Sequence, residues 1–263
     1  MEIVGYLASI LIGVSLGLIG GGGSILTVPV LVYLFGIDAV TSTAYSLFIV
    51  GVTSMVGSVS YFRKKLVNIK TAIIFGIPSI IAVYATRAYI VPAIPDQILT
   101  LGSFTLEKNA ALLLLFALLM IVASYSMIKK SKPQSEENIS GPQQFNYPLI
   151  LIEGAVVGVL TGLVGAGGGF LIIPALVVLS KLPMKEAVGT SLVIISAKSI
   201  LGFTGDASAN MDWNFLLLIT LFAIVGIILG FSLSKKVDGK KLKPAFGWFV
   251  LVMGIYIILK ELL

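Results

Sequence analysis

Apolar runs close to the length needed to cross hydrocarbon recur along the whole of this chain. The stretch "AALLLLFALLMIVASYSM" at 110–127 carries no charge and does not alternate. A helix of about 20 apolar residues spans the bilayer core, whereas a membrane β-barrel strand alternates over about ten residues. Of 263 residues, 57% are hydrophobic and 11% are charged. A soluble domain carries about a quarter of its residues charged, so this chain cannot cover a surface in water. It reads as an all-α polytopic membrane protein with the lipid bilayer as its surroundings.

Breakers divide the apolar residues into 3–19 then 24–35, 39–62, 70–91, 108–128, 147–165 then 169–180, 186–205, 213–234 and 244–262. That amounts to about eight to ten membrane segments at the length a bilayer demands. The one long polar stretch, "KKSKPQSEENISGPQQFN" at 129–146, reads as a flexible linker. It separates a first transmembrane repeat, 1–128, from a second, 147–263. The net charge of +6 lies almost entirely in short loops, which points to orientation in the membrane and away from nucleic acid. Cysteine and histidine are both absent. Disulfides, thiol chemistry, haem ligation by histidine and the usual transition-metal sites are thereby excluded, and no metal or cofactor is expected. The opening "MEIVGYLASI" has Glu2 where a signal peptide has basic residues, so cleavage of a leader is not expected.

Two stretches interrupt apolar runs with glycine: "LIGGGGSILTVPV" at 18–30 and "LVGAGGGFLIIPA" at 163–175. Each glycine inside a helix costs about 1 kcal/mol relative to alanine, so these clusters break their helices. Irregular backbone at membrane depth survives only inside protein or around a polar cavity. Helices restarting near Ser24 and Gly169 would aim free N–H groups and a partial positive charge at the gap, which suits an anion. Gly13, Gly17, Gly158 and Gly162, spaced by four, read instead as close helix packing.

The two halves match without a gap when 13–57 is laid on 158–202. Gly13, Gly17, Gly20, Gly22, Gly23, Pro29, Ser46, Ser54 and Gly57 fall on Gly158, Gly162, Gly165, Gly167, Gly168, Pro174, Ser191, Ser199 and Gly202. This is the signature of a duplication. Basic residues cluster at 63–70, 129–132, 181–185 and 235–243. All four clusters become cytoplasmic if each glycine-broken segment enters and returns as a hairpin. Both termini are then outside, the linker is cytoplasmic, and the halves are inverted repeats, each a broken hairpin plus three transmembrane helices. Inverted repeats with broken helices are a transporter architecture, with the site at mid-membrane between them.

The turns "GLIGGGG" and "GLVGAGGG", each followed by proline, together with "AVGTSL" (187–192) and its partner "TAYSLF" (43–48), resemble the sulfite exporter TauE/SafE family. The resemblance spans both halves. It implies a multi-pass carrier in the plasma (inner) membrane that exports sulfite or an organosulfonate such as sulfoacetate. Carried over, Gly20, Gly21, Gly22, Gly23 and Ser24 with Gly165, Gly167, Gly168 and Gly169 would form the substrate site, with Ser46, Thr190 and Ser191 nearby. The first half departs from the "GTSL" pattern at Ala44 and Tyr45.

Three charges lie within or near the spans. Lys198, in "GTSLVIISAKSILG", costs about 2.5–3.5 kcal/mol at a helix centre and needs a purpose. It serves either as a counter-charge for an anionic substrate, or it snorkels outward or pairs with Asp206. Arg87 lies near an outer end, where snorkelling is the expected account. Glu153 lies about 9 Å inside its span at 1.5 Å per residue; it is a solvated interfacial group or a proton-coupling carboxylate. The chain is therefore read as a secondary transporter of a small sulfur-containing anion, with an anion channel as the alternative. An intramembrane enzyme lacks the histidines that a serine dyad or a zinc motif needs.

Overall fold

A computed structural model of the chain describes residues 2–101, 104–128, 147–178, 182–206, 211–234 and 239–262. The linker at 129–146 and Lys181, Lys235 and Lys236 lie outside the described residues. Helix α1 (Glu2–Ile19) stops at Gly20; a 3-10 turn (Gly21–Leu26) leads into α2 (Thr27–Tyr33). Next come α3 (Ala39–Arg63) and α4 (Ile69–Ala85), which passes through a π-helical turn (Thr86–Ile90) into the short α5 (Val91–Ala93). Strands β1 (Gln97–Leu101) and β2 (Phe104–Glu107) pair antiparallel, a hairpin the apolar pattern does not anticipate. Helix α6 (Lys108–Ile128) closes the first half. The second half holds α7 (Tyr147–Val164), α8 (Gly169–Val178), α9 (Met184–Phe203), α10 (Trp213–Ser234) and α11 (Gly239–Leu262). Among the described residues six helical stretches are long and apolar enough to cross a membrane.

Local chemistry sets the helix starts. Asp38 accepts from the Thr41 N–H at 3.0 Å to cap α3, Asn68 from Thr71 at 3.0 Å to cap α4, and Asp212 from Phe215 at 3.0 Å to cap α10. Inside and outside are exchanged relative to a water-soluble protein. Ile69, Ile73, Ile77 and Ile81 form an exposed stripe on α4, and Leu217, Leu221, Val225 and Ile228 one on α10. The interior holds Ser24, Thr43, Ser46, Thr53, Ser54, Arg87, Thr190, Ser191, Lys198 and Ser199, all buried. Helices α3 and α9 are the centre, 67% and 61% buried over their apolar windows, against 22% for α11.

Packing crosses between the halves. Helix α1 runs parallel to α10, with Gly13 against Ala223 and Gly17 against Ile227 and Gly230. In the same way α7 runs parallel to α4, with Gly158 against Ser79 and Ala82, and Gly162 against Val83 and Thr86. The small residues read as packing positions do lie in these contacts. Helices α3 and α9 are antiparallel, since Gly51 meets Ser199 and Ile200 while Gly189 meets Tyr61 and Leu66. Helices α6 and α11 are antiparallel too, with Gly254 against Ala117 and Gly247 against Met127. The first broken segment turns back on itself: Gly23 lies against Ser15 and Leu16, and Gly5 near the start of α1 lies against Phe35 just beyond α2. It ends at the end where it began.

Candidate functional site

The glycine breaks lie inside the protein, against the two central helices. Gly20 takes φ +79°, and Gly165, Gly167 and Gly168 take +68°, +62° and +71°, left-handed conformations that a side chain resists. Each break packs on the other half. A Cβ on Gly20 would lie 2.7 Å from Val188 of α9, and one on Gly165 would strike the backbone of Thr43 of α3. Val188 and Thr43 each lie one turn into antiparallel helices, so Gly20 and Gly165 sit toward opposite ends of the molecule rather than side by side. The breaks converge further along. A Cβ on Gly167 would be 2.5 Å from Val50, 3.3 Å from Ile195 and 3.5 Å from the Ser24 Cβ, against the middle of both helices.

The first break differs from the sequence expectation in one detail. The chain does not restart as an α-helix at Ser24; it forms a 3-10 turn from Gly21 and becomes α-helical at Thr27. Four glycines permit the tighter turn, and Thr27 donates back to the Ser24 carbonyl. In the second half α8 does start at Gly169.

Lys198 is fully buried beside the second break. Its Nζ donates to the Thr161 Oγ1 of α7 at 2.9 Å and lies 2.8 Å from where a Gly168 Cβ would be. It neither reaches the surface nor pairs with Asp206. Among the described residues no carboxylate pairs with it. The ammonium thus shares its place with the N-terminal end of α8, where the helix dipole is also positive. Two positive sources converge here, and among the described residues the hydrogen-bond partner of the ammonium is the Thr161 hydroxyl.

The other residues expected at the site divide. Ser46, one turn along α3 from Thr43, is fully buried with an unpartnered Oγ, as are Ser54 and Ser199. Ser191, its counterpart, spends its hydroxyl on the Val188 carbonyl at 2.8 Å. Thr190 accepts from the Asn68 N–H at 2.9 Å and so anchors the α3–α4 connection. Glu153 is half-buried on α7, beside Gly154, which packs on Phe75 and Pro78, and forms no ion pair among the described residues.

Arg87 does not snorkel. It is fully buried in the π-helical turn, and its Nε and Nη2 donate to both oxygens of Asp206 at 2.6 and 2.7 Å. Its Nη1 donates to the Thr43 Oγ1 at 2.8 Å and to the Gly162 carbonyl at 3.2 Å. The sequence hint was there: two opposite charges each close a span of a different half at the same expected end. At the far end a cleft of about 340 Å³ is lined by Ser60, Arg63, Lys64 and Phe231.

The sequence profile of the sulfite exporter TauE/SafE family matches residues 6–257, nearly the whole chain. The chain belongs to the sulfite exporter TauE/SafE family. Relatives of similar length agree. A "Probable membrane transporter protein" of Xylella fastidiosa is 29% identical over 266 residues, covering 94% of this chain and 91% of its own. One of Methanocaldococcus jannaschii is 29% identical, covering 98% and 94%, and one of Bacillus subtilis is 28% identical, covering 92% and 89%. No solved structure matches the chain. Family membership, these named transporters and the apolar helices identify a multi-pass membrane transporter.

Proposed function

We propose that the protein is a secondary carrier that exports a small sulfur-containing anion, sulfite or an organosulfonate such as sulfoacetate, across the plasma membrane. The anion binds at mid-membrane where the breaks at 20–24 and 165–169 approach one another, next to Lys198. The observation that carries this reading is Lys198: a buried ammonium at a helix N-terminus with a hydroxyl for partner is a site in need of negative charge. Ser46, Ser54 and Ser199 offer hydroxyls to anion oxygens. Ser191, bonded to the Val188 carbonyl, backs the first break from α9, Thr190 anchors the α3–α4 connection, and Glu153 is the candidate for proton coupling.

The halves are inverted repeats in this reading. Antiparallel pairing of the equivalent helices α3 and α9, and of α6 and α11, supports it, because a two-fold axis in the membrane plane reverses each helix onto its copy. The described cations Arg63, Lys64, Lys65, Lys70 and Lys185 all fall at one end, which the positive-inside rule makes cytoplasmic. Both termini are then outside. No energy-yielding domain is needed: each negative charge leaving an inside-negative cell gains about 2.3 kcal/mol per 100 mV.

Purified protein in liposomes should exchange labelled sulfoacetate or sulfite against the unlabelled anion. Lys198→Gln should weaken this about tenfold to a hundredfold, the worth of one charge-assisted hydrogen bond. Currents without exchange stimulation would identify a channel instead. Flux unchanged in Lys198→Gln would remove the ammonium from the site.

A further inference from the structure

The duplication allows the two ends of the α3–α9 pair to be compared position by position. Val83 of α4 packs on Gly202, and Ile227 of α10 packs on the equivalent Gly57. Continuing one turn in each helix, Arg87 is equivalent to Phe231. Asp206, by the alignment of α9 on α3, is equivalent to Tyr61. These four residues form two contacts: Arg87 with Asp206 at one end, and Tyr61 with Phe231 at the other, ring centroids 5.8 Å apart. Each contact joins one half to the other at its own end of the central helices. The molecule closes one end with a charge pair and the equivalent place at the other end with two aromatic rings.

The difference has a physical consequence. An aromatic contact can part without leaving a charge behind. The guanidinium cannot: it is fully buried, and without Asp206 it would be left with the Thr43 hydroxyl and the carbonyls of Gly162 and Val40. Breaking a buried pair by removing one partner strands a charge in low dielectric. A small oxoanion avoids that cost, because two of its oxygens meet the same fork that Asp206 occupies. The pair is placed for such an exchange. Thr43, which Arg87 holds, is the residue Gly165 packs on, so the guanidinium borders the second glycine break. Asp206, its side chain 11% exposed, lies on the outward side. The π-helical turn that carries Arg87 is a rare backbone form that occurs frequently at functional sites.

We propose that Arg87 is a second anion-binding residue, the gate at this end: closed, it holds Asp206; open, it holds the departing anion in place of Asp206. This rests on the anion-carrier reading and adds to it a condition for opening. The end closed by Tyr61 and Phe231 opens with no charge to satisfy, whereas the Arg87 end opens with an anion present.

The absence of cysteine from the chain makes this directly measurable. Ser46→Cys and its counterpart Ser191→Cys are near-isosteric reporters, one beside each break. In the otherwise native protein, a membrane-impermeant thiol reagent applied at the Arg87 end should label Ser46→Cys slowly, and sulfoacetate should speed it. Asp206→Asn should speed it about tenfold or more without sulfoacetate, as the closed population falls. Arg87→Lys, which keeps charge but loses the two-point fork, should abolish the response to sulfoacetate. Tyr61→Ala should instead expose Ser191→Cys from the opposite end. Where Asp206→Asn does not yield monodisperse protein, Arg87→Lys and the sulfoacetate response of the native pair decide. Labelling indifferent to these changes, with sulfoacetate exchange by the native cysteine-free protein present, overturns the gate and leaves the carrier. Labelling that answers to Asp206→Asn but to no anion, with exchange absent, overturns the anion reading and the exchange at Arg87 together.

Discussion

Gly168 and Gly36 share one backbone torsion, φ +71° in both, under different constraints. Around Gly36 a Cβ would find open space, whereas at Gly168 it would strike the Thr161 Cγ2 and crowd the Lys198 ammonium. Gly36→Ala should therefore cost about 1–2 kcal/mol, the backbone penalty alone, and leave exchange of sulfoacetate intact. Gly168→Ala should cost about 1–3 kcal/mol more from overpacking and should also depress exchange by pushing Lys198 off Thr161. Thermal melts in detergent paired with the liposome assay separate the two effects, and equal behaviour of the two variants would refute the distinction. At this scale the sequence showed which residues were unusual but not their partners. Lys198 was legible as a charge without an excuse. Its hydroxyl partner, 37 positions away, was not, and Arg87 was misjudged because Asp206 lies 119 positions along the chain. A span-end arginine and a span-end aspartate each have an acceptable explanation alone; only the fold makes them one feature.

The elements were more legible than the contacts. Hydrophobic length marks a span whatever it packs against, so α3, α6, α10 and the α4 span could be read within a few residues. The 3-10 turn at Gly21–Leu26 could not, because a glycine run states only that regular helix is weak, not which alternative the surroundings select. Four-residue glycine spacing in α1 announced a close neighbour without naming it. That neighbour is α10, whose Gly226 meets the Ile10 carbonyl and the Gly13 Cα, and whose Gly230 meets Val14 and Gly17. Backbone contact of this kind leaves no room for a branched side chain. Gly226→Val should lower stability by about 1–3 kcal/mol, read as a fall in the unfolding midpoint, because neither backbone can yield as a flexible side chain would. An unchanged midpoint would mean that the backbones of α1 and α10 do not meet at Gly226.

For the whole molecule, the sequence match of 13–57 with 158–202 carried most of the information. It paired the two broken segments in sequence, and with the basic clusters it implied hairpins that return to their starting end, as the first one does where Gly5 meets Phe35. It left open which half each hairpin would dock on. In the orientation proposed, Lys65→Cys, just before α4, should react with impermeant reagents from the cytoplasm and Asn214→Cys, at the start of the equivalent α10, from outside; both reacting from one side would overturn the inversion. The crossed docking of α1 on α10 and of α7 on α4 bears also on how the protein is made. When Ile19 completes α1, the start of its eventual partner at Trp213 is still almost two hundred residues from being synthesised. The glycine-lined face of α1 must wait, in lipid or under an insertion factor, until α10 arrives. Neither half can mature alone, and two fragments divided within 129–146 should accumulate only when produced in the same cell.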